Sequence, residues 1–362
     1  MKKKLLVIML ALAMVFAFAA CGGGGGGGSD APAADSSAEP HAGVSGIVFT
    51  VPDDWTLTDV NIGSHGSYSI PGSDYCLVTN SLGEKELEEN NKWSEEKFDS
   101  VQAYYDKYYA ATEEELKEKD IEHTIIKVCD TDADYNKYTG GKDGFYELGT
   151  YWMLDNTIYS FYLYNDKNFG DGGKIKDDAT PLTDDQIKQY EDIIASIQKG
   201  DGVSFLKEGI ASLGTNIGSL TYAVPEGFSV SRIGENFIEL NKEGSPVYLQ
   251  ISMTTENELQ YCQKADGSVP ESLEDWFNVS IYEGIEETEI AGYKGYIDKN
   301  PYDDEGNCYD VNAGLLADDA IYNVYMGTDA HDTDGNLKED AVPLTDEDLA
   351  AFDALVASLA KK

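Results

Sequence analysis

Arginine is nearly missing from this chain: Arg232 is the single copy in 362 residues. Lysine and arginine together number 26 against 67 aspartates and glutamates, for a formal net charge of −41. Nucleic-acid binding needs clustered basic side chains that displace counterions, and that footprint is absent. Charge-driven docking on anionic lipid is disfavoured for the same reason. Histidine is also scarce, at His41, His65, His123 and His331. There is no His-Glu-x-x-His, no dinucleotide fingerprint and no Cys-x-x-Cys, so the common zinc and cofactor signatures are missing. Apart from residues 5–20 there is no long apolar run.

That run follows Lys2, Lys3 and Lys4 and ends in small residues, the pattern of a secretory leader. It is too short for a comfortable membrane span, which takes about 20 apolar residues. Phe18-Ala19-Ala20-Cys21 resembles the lipobox of bacterial lipoproteins, with Phe18 where leucine is usual. The resemblance implies cleavage before Cys21 and acylation of its thiol. Two or three acyl chains anchor stably, each buried methylene contributing about 0.8 kcal/mol. The alternative is an ordinary leader with an incidental cysteine. Gly22 to Gly28 then run into Ser29-Asp30-Ala31-Pro32 without the lysine or helix of a phosphate loop. A tether of this composition is a flexible coil spanning roughly 27 Å.

The rest of the chain repeats itself. "ATPLTDDQIKQYEDIIASI" from Ala179 aligns without a gap with "AVPLTDEDLAAFDALVASL" from Ala341. Ile187, Tyr190, Ile193, Ile194 and Ile197 match Leu349, Phe352, Leu355, Val356 and Leu359, one face of a helix in each copy. Thr183 and Thr345 stand as N-caps with Gln186 and Asp348 three residues on. Upstream, two β-type runs meet at Asp155-Asn156 in one copy and Asp318-Asp319 in the other, which reads as a hairpin. "FTVPDDW" from Phe49 matches "YAVPEGF" from Tyr222, with Trp55 and Phe228 turning inward. Middle helices are expected at residues 94–111 and 271–282, with a further charged helix near 113–119. Segregated helices and hairpins point to α+β with an antiparallel sheet. The expected organisation is a signal peptide at 1–20, a lipidated tether at 21–45, domain one at 46–200, a connecting segment at 201–217 and domain two at 218–362.

The early "VPxxW/F", the late hairpin and the closing amphipathic helix resemble the PsbP-like α/β/α sandwich. Bacterial surface lipoproteins often carry such domains. The resemblance implies a fold that binds or supports partners and transfers no functional residue; Trp55 and Phe228 carry over as core positions. The expected fold class is therefore two tandem repeats, each an antiparallel sheet flanked by helices.

No catalytic or cofactor residue stands out. Gly63-Ser64-His65-Gly66-Ser67 lacks the nucleophile elbow and reads as a polar hairpin turn. Carboxylates are too numerous for proximity to identify a pair. Asp332 to Asp340 and Pro301 to Asp310 look like calcium loops, but the first places Ala330 and Ala341 where ligands belong. Beside Cys21, the chain has Cys76 and Cys129 in one half and Cys262 and Cys308 in the other, which permits a disulfide in each or none. Tyr104, Tyr105, Tyr108 and Tyr109 crowd one middle helix; Tyr105, Tyr108 and Tyr109 either pack a core or form an exposed stripe for glycan or protein contact. The expectation is a non-enzymatic binding or scaffolding protein, without cofactor or metal. It would be anchored through Cys21 on the extracytoplasmic face of the bacterial cell membrane. Its partner would be an unidentified envelope protein, glycan or small ligand, and no nucleic acid. A transport-linked solute receptor and an envelope hydrolase are the competing readings.

Overall fold

The computed structural model describes residues 40–94, 96–170, 173–264, 267–280, 285, 287–299, 307–328, 330, 337–338 and 341–362. The leader, Cys21, His331 and most of both calcium-like loops lie outside the described residues. The chain divides into two compact units between Ala211 and Ser212.

In the first unit, β1 (Ala42–Val44) and β2 (Ile47–Phe49) form a hairpin. The larger sheet begins with β3 (Thr56–Asn61), β4 (His65–Ser69) and β5 (Cys76–Leu82). Three helices follow: α1 (Glu84–Trp93), α2 (Val101–Tyr108) and α3 (Glu113–Glu118). Then come β6 (Ile121–Val128), β7 (Thr131–Tyr138), β8 (Glu147–Leu154) and β9 (Thr157–Tyr164). The unit closes with α4 (Asp184–Ser196), β10 (Gln198–Lys199), which pairs with β2, and α5 (Gly202–Leu213), whose last two residues fall past the boundary. The large sheet runs β3-β4-β5-β9-β8-β7-β6, antiparallel throughout.

Local chemistry explains the sharpest features. β8 and β9 are rich in aromatic and apolar residues and join at Asp155-Asn156, whose φ angles of 50° and 60° are those short polar residues tolerate. Alternation sends Leu148, Trp152, Phe161 and Leu163 to one buried face. Phe49 packs edge-on against Phe161 there, with ring centroids 5.0 Å apart. Across this face lies α4: the Tyr190 hydroxyl donates to the Phe161 carbonyl at 2.9 Å and sits 2.8 Å from Thr150 Oγ1. Thr183 caps α4, its Oγ1 accepting the Gln186 amide while Gln186 Oε1 accepts the Thr183 amide. On the opposite face, α1 and α2 set Leu87, Val101 and Tyr104 against Ile158.

The second unit has β11 (Asn216–Ile217), β12 (Leu220–Thr221), β13 (Phe228–Gly234), β14 (Phe237–Lys242) and β15 (Tyr248–Thr254). It continues with α6 (Leu273–Ser280), β16 (Glu287–Ile290), β17 (Tyr293–Asp298), β18 (Asp310–Leu316) and β19 (Ile321–Gly327). The end is α7 (Asp346–Ser358) and β20 (Ala360–Lys361), the latter paired with β12. The large sheet runs β13-β14-β15-β19-β18-β17-β16, the same order of strands as in the first unit. Tyr322, Val324, Met326, Phe352 and Leu355 are buried in its core.

The expected α/β/α sandwich is not what the chain builds. Among the described residues strand makes up 38% and helix 26%, and fourteen antiparallel strands, seven from each unit, dominate. The reason lies in the middle segments. The helix expected over 94–111 shrinks to the eight residues of α2, because Ser100 caps it late by accepting the Ala103 amide at 3.1 Å. The one expected over 271–282 begins two residues late, at Leu273 of α6, and its last two positions lie outside the described residues. Helices this short do not form full layers over sheets of seven strands. The segment joining the copies, expected as loop, short helix or strand, carries the helix α5, with Leu206 fully buried. Trp55 and Phe228 are buried as expected. Cys76, Cys129, Cys262 and Cys308 form no disulfide with one another. Among the described residues no helix is long and apolar enough to cross a membrane.

Candidate functional site

The tyrosines of α2 divide their work. Tyr104 is core: it is buried and packs against Phe98 and Tyr108 at 5.0 and 4.7 Å. Tyr105 and Tyr109 stack on each other at 5.7 Å and turn toward the sheet, where Tyr109 meets Tyr151 at 5.2 Å and Tyr151 meets Tyr162 at 5.2 Å. The four rings form a half-buried array over the face of β7, β8 and β9 opposite α4. Neither expected reading of the α2 tyrosines holds for all of them.

Register explains what stands beside the array. Asp134 lies opposite Tyr151, Tyr151 opposite Ser160, and Ser160 opposite Asn80, so these residues share one face. Asp134 accepts the Tyr105 hydroxyl at 3.0 Å and lies 2.8 Å from His123 Nε2. Asn80 Nδ2 donates to Ser160 Oγ at 3.3 Å, and Asn80 Oδ1 lies 2.7 Å from His65 Nδ1. The hydroxyls of Tyr109, Tyr162 and Tyr151 make polar contacts with one another and with Ser160. Burial pushes all three phenols well up, so they stay neutral.

Glu147 belongs to the same face, two positions before Gly149 and four before Tyr151. A Cβ on Gly149 would come within 2.3 Å of the Tyr151 hydroxyl. The Tyr151 ring therefore lies back along β8 over a position with no side chain. Glu147 is half-buried, and its carboxylate has no hydrogen-bond or ion-pair partner among the described residues. Desolvation raises its pKa to about 7, with no basic group to offset it. Its field reaches Tyr75, Tyr138, Tyr151, Tyr162 and Tyr190, each of which it pushes further up.

Among the described residues the second unit does not reproduce this array. Gly314 holds the ladder position of Tyr151, with the ring of Tyr296 folded over it.

His65 is not in a turn; it lies in β4, 3% exposed, with Asp59 Oδ1 3.8 Å from Nε2. His41 lies in the described part of the expected tether and is exposed. Among the described residues no group of three or more His, Cys, Asp or Glu is arranged to hold a metal. A separate cavity of about 190 Å³ opens between α1 and the start of α2, lined by Glu84, Glu88, Asn91, Phe98 and Asp99. Sequence reasoning missed Glu147, Tyr151 and Tyr162. The available signal was parity: Glu147, Gly149 and Tyr151 alternate along one strand and face Tyr162 across the hairpin.

No protein-family model matches the chain, and no curated protein matches it. Among solved structures, a protein from Bacteroides thetaiotaomicron is similar at 9% identity and a TM-score of 0.25, over 41% of this chain and 47% of its own. The chain thus spans about half the length of that protein. The Tle4–Tli4 complex is similar at 11% identity and a TM-score of 0.26, over 88% of this chain and 96% of the matched one. The T6SS immunity protein TplEi of Pseudomonas aeruginosa follows at 9% identity and 0.23, over 89% and 96%. Likenesses at these scores carry no argument about fold or function.

Proposed function

We propose that this is a lipid-anchored extracytoplasmic binding or scaffolding protein, held through Cys21, and that the tyrosine face of its first unit contacts the ligand. The supporting observation is the half-buried array of Tyr105, Tyr109, Tyr151 and Tyr162 beside a carboxylate without a partner. A core would bury such rings fully, and a plain surface would leave the carboxylate hydrated. Tyrosines with apolar plates and wet rims are the usual lining of contact sites. The leader and Cys21 motif supply the anchor.

The test has two arms. In a bacterial host, the full chain should take up labelled fatty acid and fractionate with membranes, while Cys21→Ser should do neither. For the site, a panel of small solutes and sugars should include one that raises the melting temperature of the full chain but not of Tyr151→Leu. A membrane-bound, acyl-free Cys21→Ser protein would refute the anchor. Equal responses of both proteins across the panel would refute the site.

A further inference from the structure

We infer that the strand face shared by Glu147 and the rings of Tyr151 and Tyr162 takes an organic cation, an ammonium group seated against the aromatic faces with the Glu147 carboxylate as its counter-ion. This deepens the proposed ligand face and rests on it.

Three features select the charge. The carboxylate of Glu147 has lost much of its hydration and gained no donor or cation in exchange. A bound ammonium supplies what is missing. The groups that feel Glu147 are all phenols, Tyr75 beside β5, Tyr138 on β7, Tyr151 on β8, Tyr162 on β9 and Tyr190 on α4, and no lysine or arginine is among them. Neutral phenol rings present electron-rich faces that attract cations. Finally, the chain's net charge of −41 raises the local concentration of cations and lowers that of anions.

The same features disfavour a neutral sugar. A glycan needs free hydroxyl donors and acceptors as well as an apolar plate. Here Tyr105 is committed to Asp134 and Ser160 to Asn80, and the hydroxyls of Tyr109, Tyr151 and Tyr162 turn toward one another. What remains open is ring surface and one carboxylate, which suits a methylated ammonium that makes no hydrogen bonds.

Protons enter by linkage. Because Glu147 titrates near pH 7 in the free protein, a cation binds the ionised form and drives a proton off. Apparent affinity should therefore rise roughly tenfold from pH 6 to pH 8, as the ionised fraction climbs.

The experiment is calorimetric titration of the full chain with tetramethylammonium and choline, beside choline's neutral carbon isostere and maltose, at pH 6 and 8. The cations should bind, more tightly at pH 8, and the isostere should not. Glu147→Gln should cut affinity at least tenfold at pH 8 and erase the pH dependence; Tyr151→Leu should weaken binding at both. Circular dichroism confirms that each variant is folded. Absence of cation binding, equal binding of the isostere, or a pH dependence that survives in Glu147→Gln overturns the inference. Maltose binding lost in Tyr151→Leu, without cation binding, overturns this inference and leaves the ligand face standing. No Tyr151-dependent binding of any probe overturns the inference and counts against the face as well.

Discussion

A carboxyl group that loses its water without gaining a partner weakens the fold that holds it, and Glu147 is in that position. Its pKa is near 7 in the folded chain and near the ordinary 4.5 when unfolded. Between these values the folded state holds the extra proton. The stabilising contribution is complete below about pH 4.5 and is lost as pH rises through about 7. Glu147→Gln should therefore stabilise the protein at pH 8 by on the order of 2 kcal/mol, allowing for the residue's partial solvent access. It should change stability little at pH 4. Urea unfolding at the two pH values measures the difference, and a variant no more stable at pH 8 would contradict the burial argument. Asp348 runs the opposite way. Its burial opposes ionisation, but the Thr345 hydroxyl and amide and Lys242, 2.9 Å away, outweigh this and hold its pKa below the usual range.

Among the elements, the tightest steric constraint lies where α5 meets the β1–β2 hairpin. A Cβ on Gly202 would fall 2.1 Å from the Val44 carbonyl and 2.2 Å from that of Ile47, both backbone atoms with little room to yield. Gly202→Ala should cost about 1–3 kcal/mol, the range for overpacking a tight contact. The change should show as a lower urea midpoint with an unchanged m-value. Gly149→Ala should cost less, since its 2.3 Å clash is with the mobile end of Tyr151. Helices α4 and α7 are legible in the sequence, because Thr183 and Thr345 cap them with side chains three residues away and the apolar stripe is local. The β8–β9 hairpin was readable for the same reason: its turn residues are adjacent. The first middle helix is shorter than expected because residues 94–99 are helix-compatible in composition, yet the Ser100 side chain accepts the Ala103 amide and sets the start of α2 there.

For the whole molecule, strand order and redox state come from pairings distant in sequence. Cys76 lies inside β5, fully buried, while Cys129 sits in the turn after β6 with a φ of 49°. Nothing in their spacing gave this away. Alkylation of the unfolded, unreduced full chain followed by peptide mapping should modify Cys76, Cys129, Cys262 and Cys308, each as a single thiol. A peptide cross-linking Cys76 to Cys129 would contradict the structure. The preponderance of sheet was equally hidden: β7 reads as polar and charged, "TDADYNKY", and becomes a strand by lying between β6 and β8.

By itself, the sequence determined the acidic charge, the expectation of an anchor at Cys21, the capped closing helices and the turns of the hairpins. Each depends on composition or on residues within a few positions of one another. Only the tertiary structure decided that Tyr109 would lie against Tyr151 with Tyr105 stacked on it, that Glu147 would be half-buried on the same face without a partner among the described residues, and that the cysteines would stay apart. Those outcomes depend on which strand pairs with which, and in what register. Chain segments dozens of residues apart settle both together when they bury their apolar faces.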